Sequence, residues 1–485
     1  VNIGSLSANS AGDTLLFPIY TTAQNATTSF SVTNTSDTQT VLAKIRFREQ
    51  TQSMDVLDFF AILSPNDKFD FWVSRPENAS RPTMGWSDNT CVVGPAGERV
   101  EFPAPSPFVS FDSDNPDEDM QLGHLEVLGV ADLAGTYDGG DSPMCVNSTG
   151  AYADCGDSGA INLADAALHG SDGVPANCGI LVRTFASPAN VNSLNVSGSF
   201  ATNSDNDVDN VLVGRYVITG AGVGIEGGGD AIAIQESNLG AGYQPMTAQS
   251  SASCSSIATN PNCTSNYAWD ALEWDHPHLG EMANLDEFQN ALTASAVTGD
   301  WSNNPDNNVG VDWVLSFPSK YAYLDWIPEN TCNGTSTANN WCLLSSDPIG
   351  NGNTNAWTAN STTNLCLVDN DLRVFDTEEG EAAGNVNVSP GSRTTLDICE
   401  EMQVFTLAAE GDTPRDSVIQ YSDRRDVVEF LNLTAKRGWA ELGLSWPQTA
   451  PTGAVTGIIF TTRATEDPTI NNGSITELQK FLPRP

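Results

Sequence analysis

Closely spaced runs of strand-forming residues near the start of the chain constrain its fold more than any other feature. The runs are DTLLFPIYTT (13–22), TSFSVTNTS (28–36), TVLAKIRFRE (40–49), VLDFFAIL (56–63) and KFDFWVS (68–74). Strands joined by such short connections typically pair antiparallel and stack as two sheets. We therefore predict a mainly β fold, built from antiparallel β-sandwich domains of immunoglobulin-like or jelly-roll-like type.

The run TVLAKIRFRE shows the clearest pattern of these segments. Its apolar side chains occupy every second position, and its basic side chains occupy positions between them. The two sets are Val41, Ala43, Ile45 and Phe47, and Lys44, Arg46 and Arg48. Such alternation is typical of a strand with one buried and one solvated face. We expect the three basic side chains to face water.

Composition divides the chain into three segments. Residues 1–85 are predicted to supply the strands of an N-terminal sandwich. Residues 86–310 are rich in Gly, Asn, Asp and Ser and carry six of the ten cysteines, so a loop-rich, disulfide-bonded insertion with a few short helices is predicted there. Residues 311–485 return to strand-like runs, which either form a second sandwich or complete the first.

Local signals within the insertion predict two helices and one long loop. AINLADAAL (160–168) is apolar at helical spacing, and NLDEFQNALTASAV (284–297) has Asn284 as N-cap with Glu287 at the capping-box position. The Gly-rich segment 220–230 is predicted to be a loop that needs disulfides or ions to stay ordered. No helix is predicted directly after its glycines, so a nucleotide site is not expected.

The cysteines indicate disulfides formed in an oxidising compartment. Their number is even, their spacings are short and no CxxC pair occurs, which disfavours zinc modules. No CxxCH occurs, so c-type haem is not expected, and no organic cofactor is predicted. The spacing favours local pairs, although connectivity stays open. The pairs are Cys145–Cys155, Cys254–Cys263 and Cys332–Cys342, which leaves Cys366–Cys399 and Cys91–Cys178.

The charge is strongly acidic, with 61 acidic against 20 basic residues and a net charge of −41. Such a surface repels nucleic acids and anionic lipids, so no nucleic-acid partner is expected. Several loops are dense in the oxygen donors that Ca²⁺ prefers. A solvated surface that keeps the protein soluble is the alternative. The candidate calcium ligands are Asp112, Asp114, Asp117, Asp138, Asp141, Asp205, Asp207, Asp209, Asp369 and Asp371.

The segment CGDSGA (155–160) resembles the nucleophile segment of chymotrypsin-like proteases and is judged a chance match. Such an enzyme needs a histidine base and an aspartate as well as the serine. Only His124 precedes Ser158, in a strand-like run without the context of a catalytic histidine. We expect Ser158 to lie in a loop that follows the Cys145–Cys155 pair, and we do not expect an enzyme.

No run of apolar residues is long enough to cross a bilayer, and the chain begins with Val1. We expect a secreted protein from which a signal peptide has been removed. Residues 1–11 are polar, so they are expected to form either a frayed terminus or an arm that pairs with a neighbouring copy.

The chain contains, in this order, the segments GDTLLFPIYTT, TSFSVTNTSD, AKIRFRE, SMDVLDFFAILSPND, GHLEVLGV, NALTASAV, DWVLSFPSKY, RGWAELGL and GAVTGIIFTT. Together they resemble a poorly characterised group of abundant secreted cell-surface proteins of Gram-negative proteobacteria. The resemblance is loose between residues 135 and 270. It implies a surface-exposed structural protein of surface-layer type, and it carries over no catalytic residue.

These observations favour a structural protein that assembles with copies of itself into a layer or filament on the outer cell surface, supported by calcium. An adhesin that binds glycans is the first alternative, since tryptophan-rich strands present aromatic platforms. Its partner would be an outer-membrane glycolipid or another surface glycan. A secreted hydrolase of unrecognised type is the second alternative.

Overall fold

The computed structural model describes much of the chain, and all structural statements concern these residues. The described residues are 5–51, 55–94, 97–102, 116–135, 143–195, 208–220, 225–235, 291–304, 309–318, 320, 324–326, 337–338, 341–343, 357–359, 365–378, 381, 386–388, 392–393, 396–412, 417, 419–420, 424–430, 435–445, 455–464, 471–477 and 479–481.

Strands make up most of the described structure. Those of the N-terminal half are β1 (Ser5–Leu6), β2 (Thr14–Thr21), β3 (Ala26–Asn34), β4 (Val41–Glu49), β5 (Asp55–Leu63), β6 (Lys68–Ser74), β7 (Thr83–Trp86), β8 (Cys91–Val93), β9 (Arg99–Glu101), β10 (Leu122–Asp132), β11 (Cys145–Val146), β12 (Ile161–Asn162), β13 (Leu212–Gly220), β14 (Ile225–Asp230) and β15 (Ile232–Gln235). Those that follow are β16 (Ala296–Asn304), β17 (Val309–Ser316), β18 (Leu324–Trp326), β19 (Thr337–Ala338), β20 (Trp341–Leu343), β21 (Thr358–Ala359), β22 (Leu365–Asp376), β23 (Val386–Val388), β24 (Ser392–Arg393), β25 (Leu396–Ile398), β26 (Met402–Ala409), β27 (Asp426–Phe430), β28 (Arg437–Gly443), β29 (Thr456–Ala464), β30 (Asn471–Glu477) and β31 (Gln479–Phe481).

The helices are short. They are α1 (Pro116–Asp119), α2 (Leu163–Ala167), α3 (Cys178–Phe185) and α4 (Pro188–Asn195), with a 3-10 turn at Ala23–Asn25. The prediction for 160–168 is confirmed over α2, whose first turn is capped by the Asn162 side chain. Among the described residues, none of the helices has the length and apolar character that a membrane span requires.

Two antiparallel sheets form the N-terminal sandwich. The seven-stranded first sheet has the order β1-β15-β2-β10-β4-β5-β8, and the six-stranded second sheet has the order β14-β13-β3-β6-β7-β9. Aromatic rings fill the space between them: the Phe30 ring of the second sheet lies 5.3 Å from Phe17 and 6.0 Å from Phe47 of the first. Burying such rings against one another drives the two sheets together. The predicted antiparallel sandwich is therefore confirmed.

A 13-stranded C-terminal sheet contains the main path β21-β22-β28-β16-β17-β26-β27-β23-β24, with β25, β29, β30 and β31 pairing beside it. Among the described pairings, only β26 with β27 is parallel. Among the described residues, no strand pairing joins this sheet to the N-terminal sheets. Its strands β26 and β29 contact β10 and β2 of the first sheet, on the face turned away from the aromatic core, and its strand β30 contacts the edge strand β14 of the second sheet.

The first sheet is consequently a central layer, and the expectation for 40–49 is wrong in one respect. Residues 41–49 form the predicted strand β4, but both of its faces are buried. Lys44, Arg46 and Arg48 are at most 1% exposed. The alternation correctly separated the two faces, but it could not reveal the second layer that covers the charged face.

The segment 86–310 contributes strands to the sandwich instead of forming a separate insertion. Strand β10 lies between β2 and β4 in the first sheet, and β13 pairs with β3 in the second. The boundary drawn at residue 85 therefore does not coincide with a boundary of the sheets. Likewise β16, which begins before residue 310, belongs to the C-terminal sheet.

Two local predictions in this segment need correction. In the Gly-rich stretch 220–230, Gly220 ends β13 and residues 225–230 form β14, which pairs antiparallel with β13. Glycine permits this close pairing, because a Cβ on Gly228 would lie 2.3 Å from the Tyr216 carbonyl oxygen. Residues 284–290 of the second predicted helix lie outside the described residues, residues 291–292 are helical as predicted, and residues 296–297 belong to strand β16.

Candidate functional site: a buried charged junction

Ionisable side chains line the face of the first sheet that meets the C-terminal sheet. Strand β4 supplies the basic members, its neighbours β10 and β5 supply His124 and acidic members, and the C-terminal part of the chain adds one glutamate. We call this set the charged junction. Its members are Lys44, Arg46, Arg48, Asp58, His124, Glu126 and Glu401.

Strand register places acids on both sides of the basic strand. Arg46 stands directly opposite Glu126 of β10 and, on its other side, opposite Asp58 of β5. Arg48 stands opposite His124. Directly opposite side chains on neighbouring strands are in contact range. The registry of three strands thus alternates charge signs across the sheet.

The closest contacts centre on Glu126. Arg48 Nε donates a hydrogen bond to Glu126 Oε2 at 3.0 Å, and His124 Nε2 lies 3.4 Å from Glu126 Oε1. The other ring nitrogen, His124 Nδ1, lies 3.5 Å from Glu401 Oε1, across the boundary between the layers. These four side chains are at most 5% exposed. One imidazole therefore connects a carboxylate of each layer.

Lys44 lies on the same face of β4 as Arg46 and Arg48. Its Nζ forms an ion pair with Asp58 and lies 5.0 Å from the centre of the Phe60 ring. Both partners come from β5, so the pair lies within the first sheet. Because a buried ammonium is costly without compensation, the neighbouring carboxylate and ring face offset part of that cost.

The electrostatic balance favours an ionised Glu126 and a neutral His124. Burial alone would raise the pKa of Glu126, but Arg48, His124 and Arg46 together bring it well below its ordinary range. Burial lowers the pKa of His124, and the nearby arginines lower it further, against the opposing effect of Glu126. A neutral imidazole has one N–H, so only one of its two carboxylate neighbours receives a hydrogen bond from it.

A second ionic cluster lies where α1 meets the C-terminal sheet. Arg424 forms an ion pair with the fully buried Asp119 and lies 3.7 Å from Glu118. Burial raises the pKa of Glu400 to about 8, partly offset by Arg424 and reinforced by Asp426 and Asp119. Burial also raises the pKa of Asp426 to about 6. One guanidinium therefore serves more acids than it can neutralise.

Lys320 joins the end of β4 to the start of β26. Its Nζ donates to the carbonyl oxygens of Thr51 at 2.9 Å and Cys399 at 2.6 Å, and it lies 4.9 Å from the centre of the Trp357 ring. Main-chain hydrogen bonds run alongside, from Glu401 N to Thr51 O at 3.1 Å. Main-chain and side-chain bonds thus connect the two layers at one place.

The chemistry of the junction is that of a fastener. Its acidic and basic side chains are equal in number and all are buried, so a solute does not reach them in the folded protein. Removing one partner of a buried ion pair is strongly destabilising. The contact of His124 with Glu401 joins the two layers, whereas the Lys44–Asp58 and Arg48–Glu126 pairs lie within the first sheet.

The predicted calcium ligands are only partly described. Asp112, Asp114, Asp138, Asp141, Asp205 and Asp207 lie outside the described residues. The described ones are dispersed: Asp117 is half-buried on α1, Asp209 is exposed before β13, and Asp369 and Asp371 are exposed on β22. Across the described residues, no three His, Cys, Asp or Glu side chains gather as a metal site.

Asp209 has one informative neighbour. The buried Asp132 has its pKa raised chiefly by burial, with a smaller contribution from Asp209. Gln39 lies between them, since its side-chain oxygen accepts from Asp209 N at 3.1 Å. Two carboxylates are too few for Ca²⁺, which prefers about six to eight oxygen ligands.

Three predicted disulfides are confirmed, namely Cys91–Cys178, Cys145–Cys155 and Cys366–Cys399. The side chains of Cys254, Cys263, Cys332 and Cys342 lie outside the description. Ser158 is exposed in a turn after Cys155, as expected. His169 Nδ1 instead lies 3.1 Å from Ser64 Oγ, and His124 belongs to the charged junction.

Sequence reasoning missed Glu126, Glu401 and Arg424. A signal for the first was present: His124 and Glu126 occupy alternate positions of an otherwise apolar run, in the same way as the basic residues of β4. Complementary charges at period 2 in two apolar strands indicate pairing.

Comparison with family models, curated proteins and solved structures finds no match for the chain.

Proposed function

We propose that this protein is an extracellular structural protein that assembles with copies of itself into a surface layer or filament on a Gram-negative cell, with calcium supporting the contacts. The observation that carries this proposal is the charged junction. It joins a sandwich and a further sheet through the contact of His124 with Glu401, main-chain hydrogen bonds and Lys320. A subunit that transmits mechanical load in a lattice needs layers that do not slide.

Disulfides support the same proposal. Cys91–Cys178 ties edge strand β8 to helix α3, and Cys366–Cys399 ties β22 to the segment before β26. Cross-links of this kind restrict the unfolded chain and suit a protein that persists outside the cell. These disulfides cross-link outer parts of the protein, whereas the charged junction lies at its centre.

Contacts between copies have to overcome like-charge repulsion. A net charge of −41 makes two copies repel each other unless cations bridge or screen them. Exposed strand edges are natural sites for such contacts, and the exposed strand β1 ends the first sheet. Divalent cations held by the acidic loops would reduce the repulsion where copies meet.

Electron microscopy tests this proposal. We expect the purified protein to form ordered sheets or fibres in millimolar Ca²⁺, to disperse in a chelator, and to reassemble when Ca²⁺ but not Mg²⁺ is restored. The two ions separate specific ligation from simple screening. A monodisperse monomer under all three conditions, by negative stain and by sedimentation, would refute self-assembly.

A further inference from the structure

Trp439 is exposed where other tryptophans are buried. Its side chain in β28 is 41% exposed, whereas Trp301, Trp313 and Trp357 are at most 2% exposed. The neighbours Ala440 and Leu442 point into the core, so Trp439 projects from the outer face of the C-terminal sheet. Single exposed apolar side chains are common on protein surfaces, so the side chains around this indole decide whether it has a role.

A ring stack holds this tryptophan upright. Phe375 of β22 stands beside it, with ring centres 4.1 Å apart and planes inclined by 11°. Phe375 and Trp439 lie opposite each other on adjacent strands, and their rings stack face to face. Phe375 therefore covers one face of the indole. The other face turns toward the next strand, β16.

Asp300 of β16 lies next to the uncovered face of the Trp439 ring. It stands directly opposite Trp439 in the register of β16 with β28, and it is exposed. Among the described residues, its carboxylate forms no hydrogen bond or ion pair, since only its main-chain oxygen accepts, from Trp313 Nε1. The Trp439 ring therefore lies beside the Asp300 carboxylate, whose two oxygens are available to accept hydrogen bonds.

Two basic side chains belong to this face: Arg437 is exposed in β28, and Arg373 of β22 is already paired with acids. Arg373 lies 4.9 Å from the centre of the Phe375 ring, donates to Glu381 at 2.9 Å and lies 3.7 Å from Glu441. Its guanidinium is therefore not free to bind an anion. Acidic side chains outnumber basic ones on this face, which together with the net charge of the chain disfavours acidic ligands.

We propose that Trp439 and Asp300 form a binding site for a neutral hexopyranose unit of a glycan. A pyranose ring has a face of C–H groups, which pack against an indole, and vicinal hydroxyls, which donate to a carboxylate. Trp439 offers the aromatic surface and Asp300 offers the carboxylate, side by side. A flat protein partner would need a larger apolar patch than one indole.

Glycan binding is measured with the full chain and neutral oligosaccharides of glucose, galactose and N-acetylglucosamine, by tryptophan fluorescence and calorimetry. We expect at least one of them to bind. Trp439→Ala should weaken that binding at least tenfold, Trp439→Phe should retain part of it, and Asp300→Asn should weaken it severalfold. Leu168→Ala, which alters another exposed apolar side chain, is the control and should change nothing.

Three results would overturn the site: no binding to any of these sugars, binding that Trp439→Ala leaves unchanged, or a Trp439→Ala defect confined to sedimentation of the free protein. The last result would make this face a contact between copies. Asp300→Asn alters only an exposed side chain, so it decides the matter if Trp439→Ala fails to fold. Calcium-dependent sheets should persist in Trp439→Phe, which keeps this test separate from that of self-assembly.

Discussion

Replacing Glu126 by Gln probes the charged junction most directly. The side-chain volume is kept and the charge is lost, so Arg48 retains no full counter-charge on β10. Both side chains are at most 5% exposed. Removing one partner of such a buried pair costs about 3–5 kcal/mol, because the remaining charge stays buried. We therefore expect Glu126→Gln to destabilise the protein severely.

The measurement is urea unfolding followed by tryptophan fluorescence. With a slope of about 2–3 kcal/mol per molar urea, the midpoint should fall by about 1–2 M. The matched control is Glu101→Gln, which removes the partner of Arg81 at 3.2 Å in a pair whose glutamate is half exposed. Exposed pairs contribute about 0–1 kcal/mol, so this variant should unfold nearly as the parent does.

Two further measurements separate charge from packing. The double variant Arg48→Met with Glu126→Leu removes both charges and should recover most of the lost stability. The folded-state pKa of Glu126 lies below its ordinary 4.5, so its stabilisation is complete above that pH and is lost as the pH falls below it. Equal midpoints for Glu126→Gln and Glu101→Gln would refute the reasoning.

Two other predictions concern the second ionic cluster and the disulfides. Because burial raises the pKa of Glu400 from 4.5 to about 8, the free energy of unfolding falls as the pH rises through that range. Glu400→Gln should therefore have a higher melting temperature than the parent at pH 8.5. An equal melting temperature would contradict this. Replacing Cys91 and Cys178 by Ser opens a loop with a sequence separation of 87, against 10 for Cys145 and Cys155; the losses should be about 4–5 and 3 kcal/mol, and a reversed order in thermal melts would count against it.

The sandwich was predictable because its signals are local. Alternation over 40–49 and the short connections between the first strands depend only on neighbouring residues, and strands form there. The same holds for the cap of α2 at Asn162 and for the Cys145–Cys155 pair, which its short spacing favoured. Signals that act within about ten residues survive without knowledge of the tertiary structure.

Long-range pairing was not predictable in the same way. Strand β10 enters the first sheet between β2 and β4, about 100 residues after the former in sequence, and nothing near it states which strands it joins. Glu401 meets His124 only because a further sheet covers the sandwich. Basic residues at alternate positions are compatible with water or with a second layer. Only the partner decides between these, and it lies hundreds of residues away.

The charged row explains how a central layer acquires one register. An apolar face accepts a sliding neighbour with little loss, because hydrophobic contact is not directional. A slip of β10 by one residue against β4 would place Glu126 opposite Ile45 or Phe47 and turn His124 into the aromatic core. A slip of the C-terminal sheet would take Glu401 away from His124 and Lys320 away from the Thr51 carbonyl. Charges in this layer contribute less to net stability than apolar residues would, and they penalise every other alignment.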